Sequence, residues 1–326
     1  MKLEKKLLIA ALFTFSSASI HALTDINSAD SLYKQAKIAD GKKDYKSAFN
    51  LFKSLAELGD ARGQNGLGVM YYQGHGVKQD YQQALKWYQK GVEQGDAKAQ
   101  NNLGVMYFYG QVVAQDYHQA VKWYRKSAEQ GYERAQNNLG MMYANGLGVK
   151  QDYHQAVMLY QKAVEKGFAE AQSNLAWMYY YGLGVRQDYG QAVKWYQKAA
   201  EQGFAEAQTS LGMMYADGLG VKQDYHQAVK WHQKSAEQGD VDGQYNLAGM
   251  YVNGYGVKQD YLQAVKWYKK AAEQDASDAQ YNLGVIYENG YGVRQSKSQA
   301  KEWFGKACDN GLQNACDEYR RLNTTP

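Results

Sequence analysis

The chain has 326 residues, a formal net charge of +4, and 45% apolar and 14% aromatic residues. Seven Trp and 30 Tyr exclude a disordered chain, and one Pro beside 33 Gly excludes a Pro-rich linker or a collagen-like polymer. With so small a charge and no clustered run of Lys and Arg, the chain lacks the concentrated positive field that nucleic-acid binding needs.

In chain order, the first element reads as an address. Lys2, Lys5 and Lys6 precede an apolar run from Leu7 to Phe15, followed by Ser16, Ser17, Ala18, Ser19 and then Ala22. This is the order of a secretory signal peptide, with cleavage expected after Ala22 and cleavage after Ala18 left open. The run is too short to span a bilayer, and no Cys near it could take a lipid. Residues 1–22 carry three Lys and one Glu, so their removal lowers the charge from +4 to +2. The expected product is an exported protein, periplasmic or secreted, from a Gram-negative bacterium.

From there the sequence repeats. Leu67, Leu103, Leu139, Leu175, Leu211, Leu247 and Leu283 are each 36 residues apart, as are the Tyr residues from Tyr71 to Tyr287, and a step of this size marks a stacked array. In the copy that starts at Ala97, Ala99, Leu103 and Tyr107 recur at a helical step, and Ala120, Tyr124 and Ala128 do so again, so each copy predicts two amphipathic helices. The first stops at Gly110. The second starts at Asp116, and Gln119 three residues later predicts a reciprocal capping pair. The pair recurs at Asp80, Asp152, Asp188, Asp224 and Asp260, with Ser296 in the last copy. The second helices are expected to end at Gly95, Gly131, Gly167, Gly203, Gly239 and Gly311, with Asp275 as the exception. Gly68, Gly104, Gly140, Gly212 and Gly284 sit inside first helices, at a cost of about 1 kcal/mol relative to Ala. Close approach of a neighbouring helix is the expected compensation, loosened where Ala176 or Ala248 stands instead.

Asn-Asn-Leu-Gly-Val-Met-Tyr (101–107), Gly-Leu-Gly-Val-Lys-Gln-Asp-Tyr (146–153) and Ala-Val-Lys-Trp-Tyr (120–124) resemble the Sel1-like repeat family, a longer-looped relative of tetratricopeptide repeats. The resemblance implies an all-α, α/α superhelical solenoid of tandem 36-residue helix-turn-helix repeats that acts as a scaffold or adaptor. Seven repeats are expected, at 61–96, 97–132, 133–168, 169–204, 205–240, 241–276 and 277–312. Residues 23–60 resemble a degenerate tetratricopeptide-like pair, and residues 313–326 a closing helix and tail. Two copies depart from the pattern. Val112 and Ala114 replace Gly and Lys in the second loop, predicting a different, more apolar backbone there. Met158 and Leu159 replace Lys-Trp in the third copy, which we read as drift on an outer face, with a contact patch as the alternative reading.

Cys308 and Cys316 fall on the facing ends of two antiparallel helices. Their spacing resembles the cysteine pairs of the secreted cysteine-rich branch of the family, and with export it implies a disulfide that staples the end of the array.

Catalytic signals are thin. His118, His154 and His226 occupy one repeat position at whole-repeat spacing, too far apart to converge on a metal. The family's cysteine-rich members suggest β-lactam chemistry, yet Ser31 with Lys34 and Ser298 with Lys301 satisfy only S-x-x-K, without S-D-N or K-T-G. No enzyme, metal or cofactor is expected. By resemblance to tetratricopeptide clamps, the first helices line a concave groove at Val69, Val105, Met141, Trp177, Met213, Gly249 and Val285. A turn later Tyr72, Phe108, Ala144, Tyr180, Ala216 and Val252 flank it, with Tyr181 beside Tyr180. Asn, Lys and Arg are missing from this row, which argues against a C-terminal carboxylate as ligand. The expected partner is an apolar or aromatic protein or peptide segment bound by a monomer. A passive envelope spacer and a hydrolase of β-lactam or peptidoglycan type are the alternatives.

Overall fold

The computed structural model describes the backbone of residues 17–324 and the side chains of residues 28–324. The charged and apolar parts of the signal-like segment lie outside the described residues. Two compact units follow, one up to Gln151 and one from Asp152. The first holds α1 (Ser17–Gly41), α2 (Tyr45–Glu57), α3 (Ala61–Gln73), α4 (Tyr81–Glu93), α5 (Ala97–Tyr109), α6 (Tyr117–Glu129) and α7 (Glu133–Asn145). The second holds α8 (Tyr153–Glu165), α9 (Ala169–Tyr181), α10 (Tyr189–Glu201), α11 (Ala205–Asp217), α12 (Tyr225–Glu237), α13 (Val241–Asn253), α14 (Tyr261–Ala272), α15 (Ser277–Asn289), α16 (Lys297–Asp309) and α17 (Gln313–Thr324). No helix among the described residues is long and apolar enough to cross a membrane.

Each helix pair is built around one contact. A Cβ at Gly68 would lie 2.6 Å from the Tyr88 ring, at Gly104 2.7 Å from Tyr124, at Gly212 2.6 Å from His232 and at Gly284 2.6 Å from Phe304. The first helix therefore presents bare backbone to a ring carried by the second. Where Ala248 and Ala176 replace Gly, Tyr268 and Tyr196 remain buried.

The loop between the two helices is clipped at both of its closing residues. Asp80, Asp116, Asp188, Asp224 and Asp260 cap the second helices by accepting a backbone N–H three residues on, at 2.9–3.1 Å. The reciprocal half of the predicted capping pair is not formed. The cap's own N–H instead donates to the Tyr carbonyl at the end of the first helix, as from Asp116 to Tyr107 at 2.9 Å and from Asp224 to Tyr215 at 2.9 Å. The preceding Gln adds a second tie, Gln115 to the Phe108 carbonyl at 2.9 Å and Gln223 to the Ala216 carbonyl at 2.7 Å.

Consecutive repeats are joined by a ladder of carboxamides. Gln130 closes α6 and donates to the buried Gln100 at 2.8 Å and to the Gly95 carbonyl of the preceding turn at 3.0 Å. Gln94 does the same with Gln64 and Gly59 in the first unit, and Gln274 with Gln244 and Gly239 in the second. A buried amide bonded on both sides restrains register, because leaving either partner unpaired costs about 1–3 kcal/mol. On the outer side of the second helices, Lys ammonium groups lie over the Trp one turn earlier, at 4.5 Å for Lys90 on Trp87 and 4.4 Å for Lys198 on Trp195. Leu159 offers Lys162 no such ring.

Cys308 and Cys316 form a disulfide between α16 and α17, with Cα atoms 4.6 Å apart. Closing so short a loop restricts the unfolded chain by about 2–3 kcal/mol in the entropic account.

The second loop corrects the sequence-based expectation. Val112 takes φ +56°, the left-handed conformation that Gly76 and Gly148 take at the matching positions of other copies (+71° and +65°), so the backbone is retained and the side chain bears the strain. Asp275, by contrast, takes its left-handed stop (φ +63°) with a side chain that tolerates it better.

Two substitutions test these points. Gly104→Ala gains about 1 kcal/mol of helix propensity but forces a methyl group into the Tyr124 ring, an overpacking cost of about 1–3 kcal/mol; urea melts should show net destabilisation, and a net gain would refute the contact. Val112→Gly should raise stability by about 1 kcal/mol, the relief of a β-branched residue from the left-handed region, read in the same melts.

Candidate functional site

In α5, Leu103 and Met106 point into the core at 3% and 0% exposure. Helical geometry places Val105 and Phe108 on another face of the same helix, and both are half-buried. The sequence-predicted row behaves differently in the two units. In the first, Val69 and Tyr72 pack against the cluster of Ala84, Tyr88 and Met106. Tyr72 meets Tyr81 with ring centroids 5.2 Å apart, and Phe108 meets Tyr117 at 5.4 Å. Met141 is half-buried and Ala144 buried. These side chains spend much of their surface joining helices.

In the second unit the row opens to solvent at Trp177 and Met213, while Gly249, Val252 and Val285 stay half-buried. Trp177, Tyr181 and Met213 are 43%, 56% and 43% exposed. Trp177 and Tyr181 stand 4.9 Å apart by ring centroid, Tyr180 lies 4.8 Å from Tyr181, and Tyr180 rests edge-on to Tyr189 at 5.3 Å. With Met213, Leu219 and Asp217 they surround a depression of about 340 Å³. Partial burial raises the Tyr180 phenol above its ordinary pKa, so it stays a neutral hydrogen-bonding tip on an apolar ring.

A second cavity, of about 610 Å³, lies along α11, α13 and α15 and shares Met213 with the first. It brings together the predicted Met213, Gly249, Val252 and Val285 with Tyr245, Asn246 and His232. Sequence reading passed over His232, although the signal was present: the column 88, 124, 160, 196, 268 and 304 is Tyr or Phe, and only position 232 is His. The residue is 2% exposed and its Nδ1 has no hydrogen-bond partner. Burial depresses its pKa to about 4, with Asp240 opposing more weakly.

The other candidates disperse. His118, His154 and His226 are exposed on α6, α8 and α12, as are Ser31, Lys34 and Ser298. Ser31 accepts from Gln35, and Lys301 lies over the Tyr319 ring at 5.6 Å. Among the described residues no three His, Cys, Asp or Glu side chains gather in a way that could hold a metal ion.

Helix pairs repeated at about 36 residues, each buried against its neighbours and carrying a row of first-helix side chains, define an all-α solenoid scaffold. The chain belongs to the Sel1 repeat family, whose model matches residues 32–60, 61–96, 97–132, 133–168, 169–204, 205–240, 241–275 and 277–312. The first match falls on the segment read from sequence as a degenerate tetratricopeptide-like pair. Among solved structures, the chain is similar to a protective antigen of uropathogenic Escherichia coli with an SLR fold, at 40% identity and a TM-score of 0.71 over 84% of this chain. It spans 59% of that antigen's length. A Sel1 repeat protein from Oxalobacter formigenes is 33% identical with a TM-score of 0.67, covering 75% of this chain and 96% of its own. No curated protein matches the chain.

The buried imidazole makes stability depend on pH. In the unfolded chain His232 takes up a proton below about pH 6.5, and in the fold only below about 4. The unfolded state thus binds the proton first, and the stability held here is full above pH 6.5 and lost as pH falls through 4. The amount is about 3 kcal/mol, since each tenfold difference in proton affinity between the two states is worth about 1.4 kcal/mol. His232→Tyr, the residue of most other copies, should remove this component: the stability difference between variant and wild type should widen from pH 7 to pH 4 in denaturant melts, and a constant difference would refute it.

Proposed function

We propose that the protein is an exported adaptor that holds a protein or peptide partner against the first-helix face of its second unit, at Trp177, Tyr180, Tyr181, Met213, Val252 and Val285. The observation that carries this reading is the exposure of Trp177, Tyr181 and Met213 as one contiguous cluster. Single exposed apolar residues are ordinary, but a rigid aromatic group beside an adaptable Met is the composition of binding hot spots. Val69, Tyr72, Val105, Phe108 and Met141 extend the contact row within the first unit, with a smaller share of free surface.

A charge of +2 after removal of residues 1–22 gives little long-range steering. Recognition by shape and apolar contact follows, with an association rate that changes little with salt. Export rests on the order of charge, apolar run and small residues in residues 2–22, and the standing of the E. coli relative as a protective antigen is in keeping with it. The adaptor acts as a monomer in this reading.

The test is a pull-down from the native cell envelope with wild type and with Trp177→Ala/Tyr180→Ala. A specific partner should be captured by wild type and its affinity reduced at least about thirtyfold by the double variant, the loss of hot-spot contacts worth about 2 kcal/mol or more. Unchanged capture, or no partner at all, would leave the passive spacer as the better description.

A further inference from the structure

The 610 Å³ cavity of the second unit has a specific origin. Two residues smaller than their counterparts in other repeats meet there. His232 stands where the other copies carry a Tyr or Phe ring, so the distal atoms of a phenol are missing. Gly249 stands where they carry Val, Met or Trp, and the space in front of it is open: an added Cβ would find only the Tyr268 hydroxyl, at 3.9 Å. Neither change alone would shape a slot, but on neighbouring helices they remove adjoining volumes.

The walls state what could fill it. Met213, Met250 and Val285 are apolar, and Tyr245 and Tyr268 present rings with centroids 5.7 Å apart. The Tyr268 hydroxyl lies 3.9 Å from where a Cβ on Gly249 would stand, and Asn246 and Asn282 complete the wall. His232 contributes a buried ring whose unpartnered Nδ1 lies against the Gly212 backbone, so the ring nitrogen left for a cavity ligand is Nε2. Asp217 is the one charged lining residue, which disfavours a carboxylate or phosphate.

Resting on the adaptor reading, we propose that this cavity receives the phenol side chain of a tyrosine displayed by the partner, its ring in the volume left by Gly249 and its hydroxyl hydrogen-bonded to His232. The protein thereby takes from its partner the kind of side chain that the other repeats supply from within. At neutral pH the imidazole is uncharged, so it can serve the hydroxyl as acceptor or as donor without the cost of a buried ion.

The probe is p-cresol, titrated into the full-length protein and followed by NMR at the His232 and Met213 resonances, with toluene and n-butylammonium as comparators. His232→Tyr and Gly249→Val fill the slot with residues the other repeats carry, so they should keep the fold, which a thermal melt verifies. Wild type should bind p-cresol about tenfold more tightly than toluene, the value of one hydrogen bond, and each variant should lose p-cresol binding at least tenfold. Equal affinity for toluene, preference for n-butylammonium, or undiminished binding by both variants would overturn the proposal. The Gly249→Val protein, taken through the envelope pull-down, separates the two readings. A partner lost with Trp177→Ala/Tyr180→Ala but fully retained by Gly249→Val refutes the tyrosine slot and leaves the adaptor standing. Selective p-cresol binding with no partner captured supports the slot and refutes the adaptor.

Discussion

The contact between a bare helix backbone and the ring of the next helix organises each repeat. A Gly inside a helix is a local liability, and at positions 68, 104, 212 and 284 it is compensated by an aromatic ring that could not otherwise approach so closely. The ring then fixes the spacing of the two helices, and that spacing sets which first-helix side chains are left on the open face. His232 shows how much follows from one such ring. The Gly212 contact survives the change, since the imidazole still lies against the bare backbone, but the outer half of the missing phenol becomes space, and Gly249 on the next first helix enlarges it.

Hydrogen bonds hold the geometry that packing selects. The Asp that caps each second helix is bound at its N–H by the first helix, and the Gln before it is tied to the same helix end. The long loop is thereby closed on itself, and in the second unit Leu219, Tyr255 and Tyr291 from such loops border the depressions on the first-helix face. Between repeats, the Gln–Gln bonds penalise a slip of register, because such a slip would strand the buried carboxamide of Gln64, Gln100 or Gln244 away from water. Stability in such an array is a sum of local terms and nearest-neighbour interfaces, and the covalent tie to α16 adds to the interface that holds α17.

The site rests on contrast rather than on any single residue. Tyr180 meets Tyr189 as Tyr72 meets Tyr81 and Phe108 meets Tyr117, and Tyr109 is exposed like Tyr181; the second unit differs at Trp177 and Met213, exposed where Val69 and Val105 are half-buried. Uniform repeats make a regular scaffold, whereas departures from uniformity make a place. Two of those departures lie on the second unit's face, Trp177 among smaller or more flexible residues and Gly249 among larger ones.

The sequence by itself determined the repeat step, the helix pairs, their Asp and Gly ends, and the pairing partners Cys308 and Cys316, because each depends on short-range spacing or on local backbone preference. The repeat step also puts Val69 to Val285 at one repeat position, which the resemblance to tetratricopeptide clamps made the expected groove row. Sequence reading misjudged the Asp–Gln pairs and the Val112 loop, where the outcome depends on which carbonyl happens to lie near: the cap N–H is taken by a Tyr carbonyl from the first helix, and the loop backbone is retained against local preference. Only the tertiary structure decided that Trp177, Tyr181 and Tyr109 stay exposed while Tyr72, Phe108 and Tyr180 are engaged by neighbouring rings, and that His232 and Gly249, 17 residues apart in the sequence, line one cavity. Free surface and free volume are properties of what neighbouring helices leave unfilled, and no local pattern encodes them.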